Sequence, residues 1–127
     1  NFKSKRYLGS LHFCQSVSIT MDQRMEKILS FLANHYKENI DLNEISSIVA
    51  MNCSSFCRYF KERSGKTFME YLLDLRIGHA CKLLIENKID ITQISIECGF
   101  NTITHFNRIF KRNTGLTPSE YKKQFLK

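Results

Sequence analysis

Phe56-Cys57-Arg58-Tyr59-Phe60-Lys61 and Phe106-Asn107-Arg108-Ile109-Phe110-Lys111 stand fifty residues apart and share Phe, Arg, Phe and Lys at matching places. The match runs on through Gly65 and Gly115, Thr67 and Thr117, and Glu70-Tyr71 and Glu120-Tyr121, so that eight of the sixteen positions from 56 to 71 are identical at this shift. A shift of 49 aligns the preceding stretch: Leu42 with Ile91, Ile45-Ser46 with Ile94-Ser95, and Ala50 with Gly99. The second copy has therefore gained one residue between its halves. Self-similarity at a constant period is the mark of a duplicated supersecondary unit.

Each copy reads as a short helix, a tight turn and a second helix. In the first, Asp41 supplies an N-cap with Glu44 three residues on, and Leu42, Ile45 and Val49 form an apolar stripe at helical spacing. Ser46 and Ala50 are small where two helices cross closely, and Asn52 is placed to cap the next helix. The second copy repeats the plan with Ile91, Ile94, Ser95, Gly99 and the cap Thr102; Gly99 suits a turn that needs a positive φ. In the second helix of each copy, Phe56, Tyr59 and Phe60, like Phe106, Ile109 and Phe110, fall at i, i+3 and i+4 and must pack inward. The opposite stripe is polar: Ser54, Cys57, Arg58 and Lys61 in one copy, and Thr104, Asn107, Arg108 and Lys111 in the other. Gly65 and Gly115 stand where a glycine ends a helix.

Between the copies, Thr67-Phe68-Met69-Glu70 is a capping box that opens a longer helix, with Phe68, Tyr71, Leu72, Leu75, Ala80, Leu83 and Leu84 on its buried side. Thr117-Pro118-Ser119-Glu120 opens the last helix, with Pro at its first position. Upstream, Met25, Ile28, Leu29, Leu32 and Tyr36 predict a helix from about Asp22 to Glu38. The expected fold is all-α: seven helices, with two helix-turn-helix units at about 41–65 and 90–115 joined by a long central helix in a domain spanning 21–127. Residues 1–20 mix Lys, Ser and aromatics without a period and read as a linker or the tail of an absent N-terminal domain. Position 1 is Asn, so a longer parent chain is the expectation.

Composition narrows the function. The 127 residues are 43% hydrophobic and 24% charged, the profile of one folded domain rather than a disordered or disulfide-scaffolded chain. Nineteen Lys and Arg against twelve Asp and Glu leave a formal charge of +7, which favours polyanionic partners. The charge is focused, since 54–66 holds Arg58, Lys61, Arg63 and Lys66 against Glu62, and 103–113 holds Arg108, Lys111 and Arg112 with no acid, whereas 22–50 is net acidic. The five cysteines are odd in number without paired Cys-x-x-Cys spacing, which suits a reducing compartment; the cytoplasm is the expected location. No apolar run approaches the roughly 20 residues of a membrane span. No nucleophile with its base, paired carboxylates, phosphate loop or cofactor motif is present, so an enzyme is not expected.

A helix pair with an outward polar and basic stripe follows the logic of DNA readers that place the second helix in the major groove. The run Ile94-Ser95, Cys98-Gly99-Phe100-Asn101, Phe106-Asn107-Arg108-Ile109-Phe110-Lys111, Gly115, Thr117-Pro118-Ser119-Glu120-Tyr121 resembles the signature of the AraC/XylS family of bacterial transcription regulators. Leu75-Arg76-Ile77, Ala80 and Leu83-Leu84 extend the resemblance, which covers about residues 22 to 123. It implies two helix-turn-helix units binding successive major grooves on one side of duplex DNA. Base-facing positions then fall on Ser54, Cys57 and Arg58 in the first unit and on Ile103, Thr104, Asn107 and Arg108 in the second. Asn52, Lys61, Thr102, His105, Lys111 and Arg112 are assigned to phosphate. The resemblance further implies activation more often than repression, through contact with RNA polymerase, and dimerisation through another domain, with the isolated domain monomeric. The chain departs from the family pattern in Ser at 46 and 95, where Ala is usual, and in Ala50, where Gly is frequent.

Alternative readings attach to several residues. Arg58 and Arg108 also fit a solvated helix face, and Arg76, midway along a buried helix, fits a structural ion pair with Asp74, Glu70 or an acid of another helix. Cys53 and Cys57, one turn apart, make half a metal site with no companion pair. Oxidation of Cys57 on the groove-facing stripe would interfere with docking; an inert small side chain is the plainer role. The competing function is a helical RNA-binding or protein-docking domain.

Overall fold

The computed structural model describes residues 22–125, and it is helical throughout with short connections. Its seven helices are α1 (Gln23–His35), α2 (Leu42–Ile48), α3 (Cys53–Ser64), α4 (Phe68–Glu86), α5 (Ile91–Glu97), α6 (Ile103–Thr114) and α7 (Pro118–Phe125). Their starts follow from the sequence. The side chains of Asp22, Asp41, Asn52, Thr67, Asp90 and Thr102 each accept a hydrogen bond from a first-turn amide, removing one of the donors that a helix leaves unpaired. Both capping boxes form, Thr67 with Glu70 and Thr117 with Glu120.

The duplication is visible in the geometry. Phe60 meets Tyr71 edge-on at 5.5 Å, and Phe110 meets Tyr121 at 5.4 Å with the same edge-on arrangement. Ser64 and Thr114 each donate to the carbonyl four residues back at 2.8 Å and accept from the amide two residues on at 3.2 Å, tying the ends of α3 and α6 to the connections that follow them. Met51 N–H donates to Ser46 O and Phe100 N–H to Ser95 O, closing the same turn in both copies. The residue gained by the second copy is thus Asn101, between this turn and the cap Thr102.

The apolar residues form two cores that meet on α4. Phe68, Tyr71 and Leu72 of α4 join Met25, Ile28, Leu32, Ile45, Val49, Phe56 and Phe60 in the first. Leu73, Ile77, Ala80, Cys81 and Leu84 join Ile94, Cys98, Phe100, Phe106, Ile109, Phe110 and Tyr121 in the second. Helix α4 changes its buried face along its length, so it carries no single apolar stripe. Leu75 and Leu83, expected on its buried side, are only partly covered.

Two expectations change. Helix α1 stops at His35, and residues 36–38 form a turn. The reason is Arg76, whose Nε donates to Tyr36 O at 2.7 Å and whose second guanidinium nitrogen donates to Glu38 O at 2.9 Å. Arg76 therefore has main-chain carbonyls as partners, not Asp74 or Glu70: the end of a helix presents partial negative charge that a planar, multi-donor group satisfies without burying a carboxylate. Its guanidinium also lies 6.0 Å from the centre of the Phe100 ring. The turn that Arg76 holds fits against Gly99, where φ is +92° and an added Cβ would stand 2.7 Å from Lys37 O. Buried Ser46 and Ser95 satisfy their hydroxyls on Asn43 O and Thr92 O. Ala50, at φ +57°, takes a conformation that favours glycine.

Candidate nucleic-acid interface

Helices α3 and α6 present the two matched stripes. Their inner residues Phe56, Phe60, Phe106 and Phe110 are fully buried, which fixes each helix's rotation and turns the opposite side outward. Ser54, Cys57, Arg58 and Lys61 are exposed on α3; Thr104, Asn107, Arg108, Lys111 and Arg112 are exposed on α6, with Ile103 38% exposed at its start. An isoleucine so placed has a methyl surface to offer at the helix tip.

The caps also bear on the interface. Asn52 Oδ1 accepts from Ser55 N–H at 2.8 Å and Thr102 Oγ1 accepts from His105 N–H at 3.1 Å, so the amide nitrogen of Asn52 and the hydroxyl of Thr102 retain donor capacity. Each cap stands at the positive end of its helix dipole. His105 is half-buried with its ring 5.5 Å from that of Phe100. Burial, then Arg108, Arg76 and Arg112, hold its pKa below the usual 6.5, so at neutral pH it is an uncharged hydrogen-bonding group.

The basic face of the first unit is smaller than its sequence count. Arg63 leans back onto α1, with its guanidinium 3.8 Å from Asp22 and 5.0 Å from the Tyr59 ring centre. Lys66 Nζ donates to Asp74 at 2.6 Å. That leaves Arg58 and Lys61 as the cations of the α3 stripe, against Arg108, Lys111 and Arg112 on α6. Asp22 and Asp74 carry no motif, and only the folded chain reveals that they hold α3 and its following turn.

The cysteines divide by environment. Cys81 and Cys98 are buried in the second core and their thiols are pushed up to about 12 by desolvation. Cys53 turns from the stripe toward α2 and donates to Asn43 Oδ1 at 2.7 Å, whereas Cys57 stays exposed on the outer face beside an apolar groove bordered by Ile40, Leu42, Phe68 and Met69. Among the described residues no three His, Cys, Asp or Glu side chains gather in a metal-binding group, and no helix is long and apolar enough to cross a membrane.

The family model for a helix-turn-helix domain matches residues 45–124, which take in α3 to α6 whole with most of α2 and α7. The chain belongs to the AraC family. Its relatives include the uncharacterized HTH-type transcriptional regulator YdeC of Bacillus subtilis, 34% identical over 113 residues, covering 89% of this chain and 38% of that protein. The HTH-type transcriptional activator RhaR of Escherichia coli K12 is 31% identical over 98 residues, covering 77% of this chain and 35% of that protein. Among solved structures, an AraC-type transcriptional regulator from Chromobacterium violaceum superimposes with a TM-score of 0.74 at 26% identity, covering 82% of this chain and 93% of that one. This AraC-type chain spans well under half the length of the curated relatives it matches. The matched region is therefore an AraC-type DNA-binding domain of the kind found in transcription regulators.

Proposed function

We propose that this AraC-type domain reads double-stranded DNA sequence-specifically, with α3 and α6 entering two successive major grooves. The observation that carries the proposal is the pairing of two equivalent helices, each rotated by buried phenylalanines so that its polar stripe faces out. Arg58 and Arg108 are the groups for guanine O6 and N7, Asn107 suits adenine N6 and N7, and Ile103 and Thr104 bring methyl groups to thymine. Ser54 and Cys57 have short reach, so the first unit makes fewer base contacts than the second. Asn52, Lys61, Thr102, His105, Lys111 and Arg112 serve phosphate and position the domain without reading sequence.

For the protein to which the domain belongs, we infer a cytoplasmic activator. RhaR, similar over 35% of its length, is named an activator. Contact with RNA polymerase, effector binding and dimerisation are read as properties of the whole protein. The isolated domain is read as a monomer.

The test is selection of a randomised duplex library by the purified domain at near-physiological salt. Two enriched motifs separated by one helical turn, about 10 to 10.5 bp, are the expected result. A single motif would overturn base reading by α3, and absence of enrichment with tight RNA binding would overturn the DNA reading.

A further inference from the structure

Helices α1–α3 and α5–α7 share no extensive packing with each other among the described residues; both groups lean on α4. The turn at 36–38 seats against Gly99 at one direct contact between the units, and the connection after α3 and the last turn of α6 meet at a second, on Asp74. Resting on the two-helix reading above, we infer that Asp74 is a positioning residue that sets the spacing between α3 and α6, by holding the connection that follows α3 and the last turn of α6 with one carboxylate.

Asp74 sits where the two cores meet, immediately after Leu72 of the first and Leu73 of the second. Its Oδ2 accepts from Lys66 Nζ at 2.6 Å, and Lys66 is the single residue between Gly65, which closes α3, and Thr67, which opens α4. Its Oδ1 accepts from Asn113 Nδ2 at 3.1 Å, in the last turn of α6 and 39 residues away in sequence. The Lys66 and Asp74 side chains are 21% and 22% exposed, so the pair is shielded and bulk salt screens it less than it would an ion pair on the open surface. A bidentate acceptor gripping one donor from each unit resists both translation and rotation of one recognition helix relative to the other. Asp74 makes no hydrogen bond to a base-facing side chain, and of the outer cations of α6 it is Arg112, assigned to phosphate, that feels its charge, so Asp74 acts on the distance between half-sites and not on which bases are read.

The measurement uses the 127-residue chain and a duplex recovered by library selection with the wild type, together with versions whose spacer between half-sites is longer or shorter by one and two base pairs. Each added base pair turns one half-site by about a tenth of a helical turn relative to the other. The wild type is expected to favour the selected spacer. Asp74→Ala, which removes both contacts, and Asn113→Ala, which removes only the one to α6, are expected to narrow that preference by roughly three- to tenfold, the range expected for a hydrogen bond of ordinary net strength in a partly exposed setting. Asn113 is exposed, so its variant decides the matter if Asp74→Ala fails to fold. Spacing preference unchanged in the folded variants, or affinity lowered by one factor on every spacer, would overturn the role of Asp74 alone. A wild type indifferent to spacer length would overturn the two-helix reading along with it.

Discussion

The phenol of Tyr59, on the inner side of α3, donates to the carboxylate of Asp22 at 2.5 Å, and the same carboxylate caps α1 through Met25 N–H at 2.9 Å. One acid thus fixes both the start of the first helix and the seat of a recognition helix 37 residues away.

Asp22 predicts a defined acid response. The Tyr59 hydrogen bond first, then the Met25 amide, hold its carboxyl below the usual 3.8. A depressed carboxylate contributes stability that is present above its unfolded value and disappears as pH falls through its folded one. Tyr59 is shifted the other way, raised above 10 by burial and by Asp22, so its contribution is present below pH 10 and disappears as pH rises through the raised value. Asp22→Asn is expected to lower the thermal midpoint at pH 7 and to flatten the loss of stability below pH 4. Calorimetry across pH checks this; an unchanged acid limb would count against it.

Gly99 and Ala50 occupy the same turn in the two copies and should respond oppositely to substitution. At Gly99 an added methyl meets Lys37 O at 2.7 Å and Arg76 Nε at 3.1 Å on a backbone at φ +92°. Gly99→Ala is expected to cost about 3 kcal/mol or more, combining the left-handed penalty with the clash. Ala50, exposed at φ +57°, already bears the conformational penalty, so Ala50→Gly is expected to be neutral to stabilising by up to about 1 kcal/mol. Urea midpoints of the two variants, measured side by side, check the opposite signs.

Arg76 is a donor to main chain, and the consequence differs from that of an ion pair. Arg76→Met leaves the carbonyls of Tyr36 and Glu38 without their donor and is expected to cost about 2–4 kcal/mol. Arg76→Lys keeps the charge but not the two-pronged geometry, and a substantial part of the loss should remain. Removing Asp74 or Glu70 should leave the contacts of Arg76 intact. Chemical denaturation of the four variants separates the two pictures: full recovery by lysine would favour simple charge pairing.

These cases mark what could be read along the chain. The helices, their caps and the inward phenylalanines were legible because each depends on residues within a turn or two, and the repeat supplied a second copy of every signal. The partners of Arg76 were not, since main-chain carbonyls have no side-chain signature and the turn at 36–38 is visible only once the helix has stopped. Charge counted along a segment also overstated the α3 face, because Arg63 and Lys66 turn to Asp22 and Asp74. Of the candidate interface, the rotation of the stripes was legible; the acids that position α3 and α6 act across distances in sequence that no local pattern records.

The division between base-reading and phosphate-gripping side chains gives the last prediction. Arg108 and Lys111 lie on the same exposed stripe of α6, three residues apart, so a purely electrostatic surface would treat them alike. A guanidinium presents a rigid fork that matches guanine, and its loss should remove about 1–3 kcal/mol of discrimination at one base pair. An ammonium on a flexible stem neutralises phosphate, and its loss should weaken every duplex similarly while reducing the slope of log affinity against log salt by about 0.9. Arg108→Ala is therefore expected to relax selectivity in one half-site, and Lys111→Ala to lower affinity for selected and random duplexes in equal proportion. Fluorescence titrations of both variants on both duplexes over a range of salt check the assignment, and identical profiles for the two would show that neither side chain reads a base.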